Sequence, residues 1–325
     1  MSMEKKRYFA GLDLGGTFVK GGIADENGVL LIKDKIPTGK ERPYAEIATD
    51  MAALVKTLAC KAGVEIEGVG IGSPGTVDSH NGVIVYSNNI AWKNVPLGAE
   101  LQKRLNKPVF LTNDANAAAL GESFVGAGKT YRSILFLTLG TGVGGGIILD
   151  GKLFEGNKSA GAEVGHTVIR LNGERCTCGR RGCLEAYTSA TALIRQTKRE
   201  MEKDTEKSSL LWTLCDGCLD KIDGRSAFDA AARGDKIARR LLNRYLTYLA
   251  EGIANFANIF RPEAILIGGG ISGSGEQLRL PLQRKVNKRL YGGSRYAPVK
   301  VEIATLGNDA GLLGAVKLAK DKSDL

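Results

Sequence analysis

Apolar residues in this chain fall into short runs that alternate with stretches of helical spacing. Tyr8 to Leu14 reads as a strand running into Gly15-Gly16-Thr17. A second strand follows and turns at Asp25-Glu26-Asn27-Gly28 into Val29 to Lys33. Ile47, Met51, Leu54, Val55 and Leu58 recur at helical spacing, and Val69 to Ile71 is the next strand. Val109 to Thr112 predicts another strand, ending in Asn113-Asp114 before an alanine-rich helix. Ser133 to Leu139 then enters the glycine-rich stretch Gly140 to Gly146. Further along, Asp229 to Phe260 predicts one long helical region closed by Arg261-Pro262. Ala264 to Ile267 is a buried-type strand opening into Gly268-Gly269-Gly270. Lys198 to Ser208 is polar and reads as a surface excursion, and Lys320 to Leu325 as a frayed tail. Strands alternating with helices place the chain in the α/β class.

One internal echo stands out. Shifting the chain by 125 residues places Leu14 on Leu139, Gly15 on Gly140, Gly21 on Gly146, Ile23 on Ile148 and Asp25 on Asp150. Both stretches read strand, glycine turn, strand and hairpin, so a duplicated unit would build two phosphate loops. Chance matching in glycine-rich sequence gives the same pattern, and the two readings stay open.

A length of 325 residues suggests two domains with ample core. Glycine is in excess, 43 residues against a usual ~7% of a chain, without the period of collagen. The net charge of +10 admits anionic partners. The cations are scattered, and the densest stretches, Arg239-Arg240 and Lys285 to Arg289, carry no interleaved aromatics, which argues against nucleic acid. After Lys5-Lys6-Arg7 only five uncharged residues precede Asp13, too few for a signal peptide. The uncharged stretch Ser133 to Leu149 is broken by five glycines and falls short of a ~20-residue span, so no membrane partner is expected. A cytoplasmic location follows as the expectation, and the six cysteines then read as thiols or metal ligands rather than disulfides.

Three glycine turns follow apolar strands: Asp13 to Thr17, Gly140 to Gly146 and Gly268 to Gly275. Glycines at a strand end expose backbone N–H groups to an anion, and three such turns point to a nucleotide. Neither the P-loop spacing nor the dinucleotide spacing is present. Asp13, just before the first turn, is placed to hold a phosphate-bound Mg²⁺ through water. The strongest local signal is His166-x9-Cys176-x-Cys178-Gly-x-x-Gly-Cys183, a Cys₃His set that suits a structural zinc. Buried free thiols are the alternative. His80 reads as a solvated turn residue, and Cys215-x-x-Cys218 as a second pair without partners.

Asp114 ends a strand and opens a helix, so it suits either an N-cap or a ligand site at a strand's carboxyl end. A carboxylate there can take a proton from a hydroxyl attacking phosphorus. Glu163 precedes His166 by three and Glu185 follows Cys183 by two, so a zinc loop draws both carboxylates together. Such a cluster suits a polyhydroxylated ligand.

Asp13-Leu-Gly-Gly-Thr17, Asn113-Asp114-Ala-Asn116, Leu139 to Gly146, Glu163-Val-Gly-His166 and the cysteine loop through Glu185 occur together and in order. The combination resembles the ROK family of bacterial sugar kinases and repressors, most closely its ATP-dependent glucokinases, from about Tyr8 to Ala319. The resemblance implies a two-lobed, actin-like (hexokinase/Hsp70-type) α/β fold with the active site in the cleft between lobes. Residues 1–117 with the returning C-terminal helix 307–325 would form the small lobe. Residues 118–306 would form the large lobe with the zinc loop and a homodimer surface.

By position, the catalytic base falls on Asp114, and sugar contacts on Asn113, Asp114, Glu163, His166 and Glu185, with Gly72 to Gly75 and Asn89 beside them. ATP contacts fall on Asp13, Gly15, Gly16, Thr17, Lys20, Gly140, Thr141, Gly142, Gly268, Gly269 and Gly270. Zinc ligands fall on His166, Cys176, Cys178 and Cys183. The implied reaction is Mg²⁺-assisted transfer from ATP to the 6-hydroxyl of a hexose. Asn88 to Leu97 looks like the glucokinase version of its segment, which favours glucose; related kinases act on N-acetylmannosamine, N-acetylglucosamine, fructose or allose. Repressors of the family carry an N-terminal helix-turn-helix domain. With the first glycine turn at residue 15, no room is expected for one here, which leaves a non-catalytic sugar sensor as the rival class.

Overall fold

The computed structural model describes residues 6–293 and 296–324. They form two compact units. Unit 1 holds the described parts of Met1–Ser133, Gly146–Ala162 and Thr305–Leu325; unit 2 holds Ile134–Gly145 and Glu163–Ala304.

Unit 1 opens with antiparallel strands β1 (Tyr8–Leu14), β2 (Phe18–Asp25) and β3 (Leu30–Pro37), then helix α1 (Tyr44–Ala62). Helix α1 buries Ile47, Met51, Leu54, Val55 and Leu58, the face its periodicity predicts. Strand β4 (Gly68–Ser73) is buried throughout, as suits a parallel strand covered on both faces. Three short strands, β5 (Thr76–Asp78), β6 (Val83–Ser87) and β7 (Trp92–Val95), make a separate antiparallel sheet. Helix α2 (Leu97–Leu105), strand β8 (Val109–Asn113) and helix α3 (Asp114–Phe124) follow. The main sheet runs β3-β2-β1-β4-β8.

The second five-stranded sheet begins with β9 (Ile134–Leu139), β10 (Val143–Leu149) and β11 (Lys152–Phe154). Unit 2 continues through α4 (Glu185–Thr188), α5 (Ala190–Lys203), α6 (Leu210–Leu214), α7 (Ser226–Ala232) and α8 (Lys236–Phe260). Strand β12 (Ala264–Gly268), helix α9 (Glu276–Asn287) and strand β13 (Lys300–Ile303) complete it, and α10 (Ala310–Ser323) belongs to unit 1. The second sheet runs β11-β10-β9-β12-β13, with β12 parallel to both β9 and β13. This repeats the order of the first sheet position for position, so the 125-residue echo coincides with two strand–turn–strand units in equivalent places.

Four expectations need correction. The region Asp229 to Phe260 is two helices, because Gly234 at φ +96° breaks the first and Asp235 caps the second through Ala238 N–H at 2.7 Å. Lys198 to Lys203 are not an excursion but the last turns of amphipathic α5, which buries Met201; only the loop after it is irregular. Lys320 to Ser323 remain helical in α10, and Leu325 lies outside the described residues. The division placed at residues 117/118 falls instead at Ser133/Ile134, and residues 146–162 return to unit 1. The reason is that α3 continues to Phe124, packed against α10: a Cβ on Gly314 would lie 1.6 Å from the Ala117 carbonyl oxygen. Among the described residues no helix is long and apolar enough to cross a membrane.

Candidate active site

In unit 1 the carboxyl ends of β1, β4 and β8 carry the predicted groups. Asn113 is the N-cap of α3: its side-chain oxygen accepts from Ala115 N at 2.8 Å and Asn116 N at 3.4 Å. Asp114 shares in the cap, because its Oδ1 accepts the same Ala115 N–H at 2.8 Å. The Asn113 amide also donates to the Gly75 carbonyl at 3.0 Å, which joins β8 to the turn after β4. Gly75 is at φ +94°, and a Cβ there would lie 2.1 Å from the Tyr86 oxygen, so glycine is required. Asp114 reaches solvent but is crowded by protein. That desolvation, with the Asp13 charge adding to it, holds its carboxyl up at about 6.

Asp13 pairs with Lys20 at 3.0 Å, and the first glycine turn is braced by Thr38, whose hydroxyl donates to the Gly15 carbonyl at 2.7 Å and whose N–H donates to Thr17 at 2.9 Å. A Cβ on Gly16 would stand 3.2 Å from the Asn89 carbonyl, so Gly16 and Asn89 are neighbours. The structure therefore brings Asp13, Gly16, Lys20, Gly75, Asn89, Asn113 and Asp114 to one end of unit 1's sheet.

Unit 2 gathers the others. His166, Cys176, Cys178 and Cys183 each offer a ligand atom, all within 4.8 Å of one another. Cys178 Sγ and Cys183 Sγ are 3.7 Å apart, as are Cys176 Sγ and His166 Nδ1. A tetrahedral zinc with the usual bond lengths requires roughly 3.8 Å between sulfurs and roughly 3.6 Å from sulfur to nitrogen, so the donor set fits the metal. Two glycines allow the convergence: Gly179 and Gly182 have φ +90° and +83°, and a Cβ on Gly182 would lie 1.8 Å from the Arg170 oxygen. Desolvation pushes the Cys183 thiol up to about 12, whereas the Arg180 backbone N–H draws the Cys178 thiol below its ordinary value.

Glu185 links this loop to the second glycine turn. One carboxylate oxygen accepts from Val143 N at 3.0 Å; the other accepts from the Thr177 hydroxyl at 2.9 Å and the Cys176 thiol at 3.5 Å. The turn Gly140-Thr141-Gly142 is closed by Gly140 N to Gly142 O at 3.0 Å and held by Ala190 N and the Thr191 hydroxyl. Gly165 lies against the Val143 carbonyl, which seats the Glu163 to His166 turn on β10. Glu163 itself is exposed. Gly269, at φ +79°, touches Leu139, so Gly268 to Gly270 abut the same strand end. Outside both groups, His80 is exposed, Cys215 is buried and Cys218 exposed.

Nothing in the local sequence marks Glu155 as part of the site. It takes the Thr112 hydroxyl on one oxygen and the Ser79 hydroxyl on the other, each at 2.9 Å, next door to Asn113. A contact spanning 43 residues leaves no local signal.

A family model described as "ROK family" matches residues 9–322. The chain belongs to the ROK family. A glucokinase of Thermotoga maritima is 44% identical over 98% of this chain and 98% of its own length. The crystal structure of a ROK family glucokinase from Streptomyces griseus, in complex with glucose and AMPPNP, superposes with a TM-score of 0.79 at 36% identity, covering 97% of this chain and 99% of that one. A xylose repressor of Caldicellulosiruptor bescii is 31% identical over 95% of this chain and 77% of its own length. The mixed α/β architecture with two equivalent sheets is the ROK sugar-kinase fold.

Proposed function

We propose that this ROK protein transfers the γ-phosphoryl group of ATP to the 6-hydroxyl of glucose, with Asp114 as general base. The observation that carries the reading is the Asp114 carboxyl: it stands at the β8–α3 junction beside the Asn113 cap, and although it accepts the Ala115 N–H, desolvation holds its pKa up at about 6. At neutral pH such a group is ionised and still basic enough to take the hydroxyl proton as the oxygen attacks phosphorus.

Within unit 1 the candidate sugar contacts are Asn113, Gly75 and Asn89, and the candidate nucleotide contacts are the Asp13 to Thr17 turn with Lys20. Within unit 2 the candidate sugar contacts are Glu163, His166 and Glu185, and the candidate nucleotide contacts are the turns Gly140 to Gly142 and Gly268 to Gly270. Asp13 suits Mg²⁺ held through water; the ion, when bound, offsets charge on the phosphates. Zinc held by His166, Cys176, Cys178 and Cys183 supplies folding energy and fixes the loop. The Nδ1 side of His166 faces Cys176, which leaves Nε2 to meet a sugar hydroxyl in a set tautomer. The enzyme is cytoplasmic and homodimeric in this reading, with its dimer surface in the zinc-loop unit, and neither nucleic acid nor membrane is a partner.

The test is ADP release with Mg-ATP over glucose, mannose, N-acetylglucosamine, N-acetylmannosamine, fructose and allose. A leading kcat/KM for glucose is expected. Another sugar in the lead would replace glucose as substrate and keep the kinase. A second reading, a sugar-sensing regulator, is favoured by the xylose repressor likeness; it predicts sugar binding without turnover by folded, zinc-loaded protein.

A further inference from the structure

Unit 2 contains a cavity of about 260 Å³ that none of the residues assigned above uses. Five cationic side chains line it: Arg170 from the zinc-side loop, Arg195, Arg199 and Lys203 from α5, and Arg244 from α8. Two carboxylates accompany them. Glu174 pairs with Arg199 at 2.7 Å, and Glu200 is shared between Arg244 at 3.0 Å and Lys203 at 3.2 Å. Five positive and two negative groups leave the lining at +3.

One charge of the surplus comes from Arg244 and Lys203 sharing the single Glu200 carboxylate, and the other two reside in Arg170 and Arg195, which form no ion pair among the described residues. Arg170 donates to the Tyr248 hydroxyl at 3.3 Å and Arg195 to the Ala186 carbonyl at 2.6 Å. Arg195 Nε is buried without any partner. A buried charged donor without an acceptor is expensive, and gathering uncompensated guanidiniums in one concavity adds repulsion to that cost. Arg199, Arg195 and Arg170 all act on the Glu174 carboxylate, which is too little charge to balance them. An oxyanion corrects the imbalance, because the arginine fork matches phosphate geometry with two parallel N–H donors. The volume, at roughly 30 Å³ per water, admits a phosphate with a small organic group attached.

We propose that this cavity is a binding site for the phosphate group of a small phosphomonoester, separate from the residues assigned to phosphoryl transfer. Its walls touch the segment that carries the candidate sugar contact. Ala186 and Tyr187 directly follow Glu185, and the Tyr187 hydroxyl accepts the Glu174 N–H at 2.7 Å, two residues before Cys176.

The test is calorimetric titration of the full chain with glycerol 3-phosphate and with orthophosphate, at fixed ionic strength and with Mg-AMPPNP saturating the nucleotide turns. One site per chain for glycerol 3-phosphate is expected, weakened at least tenfold in Arg170→Gln and in Arg195→Gln. Arg170 is exposed, so its variant decides the matter if Arg195→Gln does not fold. Orthophosphate binding more weakly than the ester supports a phosphomonoester, and orthophosphate alone binding overturns it in favour of the free anion. Absence of binding, loss of binding on AMPPNP addition, or unchanged binding in both variants overturns the site. None of these outcomes depends on the chain being a kinase.

Discussion

The Glu185 carboxylate accepts the backbone N–H of Val143 at 3.0 Å. Through its second oxygen it also takes the Thr177 hydroxyl and the Cys176 thiol, so one side chain ties the Gly140 to Gly142 turn to the metal loop. Close approach is possible because residue 142 is glycine; a Cβ there would lie 2.5 Å from the carboxylate. Glu185→Ala leaves the buried Val143 N–H without an acceptor, at a cost of about 1–3 kcal/mol. The expected kinetic result is a rise in both glucose KM and ATP KM. A variant in which only glucose KM moves would show that Glu185 does not hold the turn.

Asp114→Asn keeps size and polarity, and the helix cap stays with Asn113. Turnover is expected to fall about 10²–10⁴-fold, the usual contribution of a general base, while the glucose dissociation constant and the melting temperature hold. Unchanged kcat would remove Asp114 from the chemistry.

The raised Asp114 pKa fixes the sign of the pH response. The base works as the carboxylate, so kcat/KM is expected to be flat above about 6 and to fall tenfold per pH unit below it. Asp13 contributes to that elevation by like-charge repulsion, so Asp13→Asn should move the acid limb to lower pH even as it lowers the rate. An acid limb that stays in place in Asp13→Asn counts against the electrostatic link between the two carboxylates.

Cys178→Ser removes one of the four ligand atoms from an exposed position, so packing is hardly disturbed. Zinc content and thermal stability are expected to fall together, because metal binding energy in a structural site is folding energy. Metal analysis paired with a melting curve checks this; full stability in zinc-free protein would contradict it.

Much of the site was legible because its parts are local in sequence. The Cys₃His spacing, Asn113-Asp114 and the three glycine turns each lie within one strand–turn or one loop, where residue type alone dictates what the backbone can do. Contacts between distant segments were not legible: Glu155 to Thr112, Thr38 to Gly15, and Gly16 against Asn89 arise only from strand order. Element boundaries failed where one residue overrides periodicity, as Gly234 does between α7 and α8. The polar stretch after Lys198 gives little helical signal because its buried face is carried by few apolar residues, Met201 among them.

The seam between α3 and α10 gives the last prediction. Gly314 approaches α3 so closely that a Cβ would lie 1.6 Å from the Ala117 carbonyl oxygen and 2.8 Å from Gly121 N. Both neighbours are backbone, which cannot rotate away as a side chain can. Gly314→Ala must therefore drive the helices apart, and α3 bears Asp114 at its first turn. Overpacking of this kind costs about 1–3 kcal/mol, more than the modest gain alanine brings to helix propensity. The expected outcome is a lower melting temperature together with a lower kcat, because α3 carries the base in its first turn and shifts with it. Stability equal to the parent would mean that the two helices do not meet backbone to backbone at this position.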